Sequence, residues 1–565
     1  MPKIEVYADA LWKYCGRELS IQELEELLPY CKAELDGEEE GIFKIELNDT
    51  NRPDLWSTAG LGRQIRLYLG GKIPEYSFFS RPGKIMDSGN RQVLVDPNLK
   101  EIRPYIAAFC ITGPEVDDAF LKDLIQTQEK LCWNYGRKRK SIAMGIYRSD
   151  LIVFPVKYQA ADPDKTRFVP LGMGRELSLR EINQEHPKGK EFGPIVADFP
   201  LFPYLTDANG DTLSNPPVIN SARIGAVEVG DRNLFIEMTG TDLPSLMLTA
   251  SIVACDAADA GYTVLPVKVS YPYETPLGRE VICPYYFQEP VEIEIPYANK
   301  LLGDLLSVEE ASRCLSRMGV KNGTEGERIV ARIPEYRNDY LHPVDGVEDI
   351  MMGRGMDSFK PVMPSDFTVG RLTPEEEFSR RVRDIMIGQG FQEMIYNYLG
   401  SRKDFIEKMG IPADSLIQIS NPMTENYEFV RNSILPALLA SESISGKAAY
   451  PHRIFELGNV TYREPSDNQG CVTRNYLGAL VADKEAGYTL VRTLVSALFY
   501  YLSREHKVFE LQDPRFLDGR CAGIRYNNRQ AGFMGEVHPQ ILTNWGITVP
   551  VVVCEIDLDT LLAEN

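Results

Sequence analysis

The feature that most constrains this chain is a segment order written twice. RELSIQELEELL at 17–28 resembles DLLSVEEASRCL at 304–315. Downstream of each, NRPDLWSTAGLGRQIRLYLG at 51–70 resembles YRNDYLHPVDGVEDIMMGRG at 336–355. Both copies read capped helix, strand, Arg-x-Asp turn, second helix, so one small module is expected to fold twice. Ser20 and Glu23 have the spacing of a capping box, in which side chain and backbone satisfy each other's donors at a helix start. The repeat is also an internal control. Arg52 and Asp54 match Arg337 and Asp339, whereas Asp345, Glu348 and Asp349 stand opposite Gly60, Arg63 and Gln64. An acidic triple that one copy lacks is not required by the module's fold.

That triple is spaced i, i+3, i+4, which puts its carboxylates on one helical face, with Asp339 in the turn upstream. Like charges so close repel unless something neutralises them. Carboxylates alone suit a hard cation such as Mg²⁺, with water or a second protein surface completing the shell. The other reading is the acidic first turn of a helix opened by Pro343 and stabilised by the helix dipole. Spacing leaves both open.

The remainder reads as α+β in several modules. After an N-terminal module at 1–85, residues 90–275 mix short strands with Pro/Gly-rich loops and two helical stretches near 117–133 and 241–261. The second copy occupies 286–362, and the Pro-rich KPVMPSDF precedes a last domain at 365–565. That domain opens with a helix start, Thr373 as cap and Pro374 first, whose apolar Phe378, Val382, Ile385 and Met386 share a face. No C-x-x-C pair occurs among the ten cysteines, which argues against a zinc knuckle and a secreted disulfide frame. No apolar run approaches a membrane span and MPKIEVYADALWKY lacks a signal-peptide core, so a cytoplasmic location is expected. The net charge of −20 argues against gripping a long polyanion alone. It leaves room for one basic patch, and Arg137, Lys138, Arg139 and Lys140 in GRKRKS supply a candidate.

An Arg-x-Asp followed at +6, +9 and +10 by Asp, Glu and Asp resembles the magnesium-binding module of the phenylalanyl–tRNA synthetase beta subunit family. LNDTNRPDLWSTAGLGRQIR resembles that family's N-terminal signature, and TLSNPPVIN its editing module. VRNSILPALL, RIFELGNV, GFMGEVHP and VVVCEIDL resemble its C-terminal domain. Size and segment order are similar to the archaeal/eukaryotic type. The resemblance implies Mg²⁺ ligands at Asp339, Asp345, Glu348 and Asp349, ATP used by the complex, and tRNA(Phe) as a partner. It also implies an alpha subunit in a heterotetramer of two alpha and two beta chains. Residues 365–565 would be a class II synthetase-like antiparallel-sheet domain without catalysis. No Gly-rich helix motif with an arginine occurs late in the chain, so no aminoacylation residue is assigned here. Arg431 and His538 are expected to be structural.

The resemblance further implies hydrolysis of tyrosine misattached to the phenylalanine tRNA. A pocket that selects phenylalanine rejects an added hydroxyl only modestly, so a second site that hydrogen-bonds the phenol is needed. The family pattern falls on Leu205, Ser214, Glu237 and Thr239, with Glu237 where Asp is usual. Glu237 and Thr239 are i, i+2 on one strand and share a face. No nucleophile is assigned; water and the tRNA's terminal hydroxyl are expected to do the chemistry. A subunit with decayed editing and a free-standing editing hydrolase are the alternatives.

Overall fold

The computed structural model describes residues 2–563. They form an α+β multidomain chain with several separate sheets. Two compact units divide it, Met1–Val362 and Met363–Asn565.

In the first unit the repeat appears as two modules of one topology. Lys3–Tyr7, Ile42–Leu47 and Ala33–Glu39 make an antiparallel three-stranded sheet in that spatial order. Val291–Glu294, Arg328–Arg332 and Lys321–Glu325 repeat the order and the sense. Each first strand runs into a helix, Ala8–Cys15 or Ile295–Leu302. Each next helix starts with a complete capping box, Ser20 with Glu23 and Ser307 with Glu310. The closing helices are Thr58–Tyr68 and Pro343–Arg354. Ala33–Glu39 has no clear trace in the sequence, because AELDGEE is mostly acidic and only Ala33 is fully buried.

Between the modules in sequence lies a ten-stranded mixed sheet that reaches past residue 275 to the strand Glu280–Cys283. Tyr105–Thr112, Asn233–Gly240 and Ile142–Arg148 pair antiparallel in that order, with Ile142–Arg148 at one edge. The helix Leu243–Asp259 is apolar nearly all round and buried, as such a helix must be. Arg63 of the first module anchors it, with Nη2 2.9 Å from Asp256 and Nη1 2.8 Å from Asp259. The two edges of the sheet curl toward each other: Arg148 N donates to Ile224 O at 3.0 Å, and Asn220 Nδ2 to Ile146 O at 3.4 Å.

The second unit is a seven-stranded sheet, antiparallel except where Gln392–Glu393 pairs with His452–Arg463. Helices cover both faces. Val552, Cys554 and Ile556 pack with Val382, Met386, Val495 and Leu498 on one side. Val551 and Val553 pack with Leu435, Leu438 and Trp545 on the other. The period of two along Val551–Asp557 serves two cores at once. His538 caps the helix Pro539–Trp545, its Nδ1 accepting from Gln540 N at 3.1 Å.

Candidate functional site

The acidic cluster is built on the Arg-x-Asp turn. Arg337 donates to both oxygens of Asp339, at 2.9 and 2.6 Å. It also donates to both oxygens of Asp349, at 2.7 and 3.2 Å. Tyr340 adds its hydroxyl to Asp349 Oδ2 at 2.5 Å. Burial pushes the Asp339 carboxyl up, but the adjoining guanidinium outweighs it and holds Asp339 well below the usual carboxylate range. The first copy uses the same plan with less charge. Arg52 donates to both oxygens of Asp54, at 2.8 and 2.9 Å, and its Nη2 lies 3.5 Å from Gln64 Oε1. Gln64 is the counterpart of Asp349, so both copies point this position at their arginine.

The other two carboxylates also have partners within the chain. Asp345 Oδ2 accepts from Leu341 N and His342 N, each at 2.7 Å, at the start of the Pro343–Arg354 helix. Glu348 Oε1 lies 2.8 Å from Nζ of Lys32, a residue of the first module that also pairs with Asp49 at 2.6 Å. Glu348 is the counterpart of Arg63, and both positions carry a long-range ion pair. Among the described residues, no three acidic, His or Cys side chains gather around one point. The donor chemistry agrees. Arg337 stands where a cation would bind Asp339 and Asp349, whose side chains are only 7% and 4% exposed. As this chain alone arranges them, the four do not fit a magnesium ion. Asp345 and Glu348 are the pair that each keep an oxygen without a protein donor among the described residues.

The second group gathers in the large sheet. Leu205 and Ser214 face each other in register on adjacent strands. Glu237 and Thr239 lie across the curl, on Asn233–Gly240. All four are buried. They are joined by a residue the sequence reading missed, Tyr147. Its hydroxyl oxygen lies 2.8 Å from Ser214 Oγ and 2.9 Å from Glu237 Oε1, with one proton to share between them. Gly145, opposite Glu237 in register, leaves the space: a Cβ there would stand 2.1 Å from the Tyr147 oxygen and 2.6 Å from Glu237 Oε1. Glu237 Oε2 is buried with no hydrogen-bond partner. Burial pushes the Glu237 carboxyl up to about 7, against the lowering pull of the Tyr147 hydroxyl and the Arg103 charge. Thr239 is engaged elsewhere, its Oγ1 accepting from Arg103 Nε at 3.0 Å and its carbonyl from Arg103 Nη2 at 2.5 Å.

In the basic run, Arg137, Lys138 and Lys140 are exposed, whereas Arg139 turns inward. Arg139 donates to the carbonyls of Pro217 and Val218, at 3.1 and 3.2 Å, and lies over the Phe192 ring. In the second unit Arg431 is buried against Glu456, at 2.9 and 3.1 Å, and donates to Asn459 O.

Residues 291–356, the second copy of the repeat, match the family model of the tRNA synthetase B5 domain. Residues 360–558 match that of the phenylalanyl tRNA synthetase beta chain CLM domain. These two matches define the class, a tRNA synthetase subunit. The chain is 49% identical to the phenylalanine–tRNA ligase beta subunit of Borrelia hermsii, and the match covers 100% of both chains. It is 46% identical to that of Borreliella burgdorferi strain ZS7, again over 100% of both. A crystal structure of an N-terminal fragment of the phenylalanyl-tRNA synthetase beta subunit from Pyrococcus horikoshii is similar at TM-score 0.59 and 36% identity. That match covers 63% of this chain and 100% of the fragment. The chain belongs to the family of phenylalanine–tRNA ligase beta subunits.

Proposed function

We propose that this chain works as the beta subunit of a ligase complex that joins phenylalanine to its tRNA at the expense of ATP. An alpha subunit performs the aminoacylation, in an assembly of two alpha and two beta chains in the cytoplasm. No described helix is long and apolar enough to cross a membrane. The 365–565 domain acts as a noncatalytic, class II synthetase-like scaffold. The buried Arg431–Glu456 pair supports that reading, because this arginine is consumed by a carboxylate rather than presented to a phosphate.

The editing reading assigns the Ser214–Glu237 pocket to the phenol of tyrosine misattached to tRNA. One observation carries it: Ser214 Oγ and Glu237 Oε1 converge on a single point where a phenolic oxygen makes both contacts. Leu205 walls the pocket, and Thr239 holds Arg103 beneath it. In the reaction, water adds to the ester carbonyl and the terminal ribose oxygen leaves with a proton, giving free tyrosine and uncharged tRNA. Arg137, Lys138 and Lys140 contact the acceptor end. Deacylation of Tyr-tRNA by the assembled ligase tests this reading, and it should fall at least tenfold in Glu237→Ala. An unchanged rate rejects the pocket.

A divalent cation belongs to the assembled complex in this proposal. It rests on Asp345 and Glu348, because Arg337 already neutralises Asp339 and Asp349.

A further inference from the structure

A site that reads a tyrosine phenol already holds one. Tyr147 is wholly buried, and its hydroxyl meets two of the groups assigned to the substrate's hydroxyl, Ser214 and Glu237. Its seat is shaped for it. Gly145, two residues earlier on the same face of the strand, has no side chain to compete for the space under the phenol. The ring packs 6.0 Å from Phe235, which is Tyr147's partner in the neighbouring strand. Leu205, Ser214, Glu237 and Thr239 are each no more than 2% exposed, so with Tyr147 in its seat the pocket has no room open to a substrate side chain.

We infer that Tyr147 is a built-in occupant of the phenol site, and that the pocket admits a tyrosyl ester only when this side chain leaves. The inference rests on the editing reading for its biological meaning but not for its geometry. Hydroxyl-selective pockets discriminate because a ligand lacking the hydroxyl leaves buried polar groups unpaired. Tyr147 satisfies that requirement from within the chain. It therefore competes with the substrate's hydroxyl for the same two partners, with the advantage of being tethered in the same chain. Hydrolysis of Tyr-tRNA is then limited by the departure of Tyr147 rather than by the chemistry.

The test empties the seat and offers a small phenol. In the full chain, Tyr147→Ala should bind p-cresol, read by calorimetry and by a rise in melting temperature. Toluene, which lacks the hydroxyl, should bind at least tenfold more weakly, and the unsubstituted chain should bind neither. Adding Glu237→Leu to Tyr147→Ala should abolish p-cresol binding. In the assembled ligase, Tyr147→Ala should hydrolyse Tyr-tRNA at least tenfold faster than the unsubstituted enzyme, and Tyr147→Phe, which keeps the ring but loses both hydroxyl contacts, should fall between the two. If Tyr147→Ala does not fold, Tyr147→Thr carries the same measurements in a residue suited to a strand. Failure of the emptied variant to take up p-cresol overturns the inference. So does hydrolysis that needs Glu237 and is indifferent to Tyr147→Ala, which leaves the editing reading standing. Conversely, p-cresol binding without hydrolysis by any variant supports the occupant and removes the editing reading.

Discussion

Lys32 and Glu348 form an ion pair across the two copies of the repeat, with Nζ 2.8 Å from Oε1. Asp49 completes a small network at 2.6 Å from the same ammonium. The Lys32 side chain is 14% exposed and that of Glu348 43%, so solvent screens the pair and its worth is about 1 kcal/mol or less. Its larger consequence concerns cations, because the Lys32 ammonium pairs with one of the two Glu348 oxygens and so competes with a metal for that carboxylate. Lys32→Met should lower the melting temperature slightly in the absence of metal. Millimolar Mg²⁺ should then raise the melting temperature of the variant more than that of the unsubstituted chain. Equal Mg²⁺ responses would show that Lys32 and the cation do not compete.

Arg337 is the opposite case, a buried cation with two buried anions. Its side chain is 1% exposed. Removing one member of such a group strands charge in the interior, which typically costs about 3–5 kcal/mol. Arg337→Met should therefore destabilise the chain by about that amount in urea denaturation. Adding Asp339→Asn and Asp349→Asn should restore most of it, since no unpaired charge then remains. Asp339 titrates below its ordinary value, so its stabilising contribution is present at neutral pH. That contribution is lost as the solution is acidified below about pH 4, the unfolded carboxylate range.

The basic run divides into two kinds of residue, and they should separate by experiment. Arg137, Lys138 and Lys140 face solvent, whereas Arg139 holds the carbonyls of Pro217 and Val218. Replacing the three exposed residues with Gln should weaken tRNA binding and reduce the slope of log affinity against log salt by about 2, the value for three contacts to a single strand. Arg139→Gln should instead lower thermal stability and leave the salt slope within about 1 of its starting value. Filter binding over a salt series reads the first effect and thermal denaturation the second.

The repeat was legible because it rests on short-range chemistry. A capping box and an Arg-x-Asp turn are complete within a few residues, and Ser20, Ser307, Arg52 and Arg337 all do what their neighbours require. The aligned positions Gly60, Arg63 and Gln64 correctly signalled that the acidic triple is no part of the shared fold. What replaced it could not be read, because Lys32 lies in the other module and nothing local marks it as a partner of Glu348. The same limit hid Tyr147. Ser214 and Glu237 come from strands far apart in the sheet order, and only the curl that brings its edges together puts a third strand between them. One trace was present in GIYR, a glycine two residues before an aromatic, the pattern of a ring laid over a bare strand position. Arg103 gave no signal at all, being a lone arginine before a proline.

Glu237 should give the chain a measurable pH dependence. It is buried, and its second oxygen has no partner. Burial raises its carboxyl from 4.5 to about 7, so the folded state binds the proton more tightly than the unfolded state does. The stability linked to this group is fully present below about pH 4.5 and is lost as pH rises through 7. By pH 8 the loss should be on the order of 3 kcal/mol relative to a neutral side chain of the same shape. Glu237→Gln supplies that reference. Urea denaturation of both chains at pH 5 and pH 8 should show the unsubstituted chain losing stability relative to the Gln variant by about that amount. A difference that stays flat between the two would mean that the ionised carboxylate has found a donor for its second oxygen. The pocket would then be wetter than its burial implies, and Tyr147 would be easier to displace.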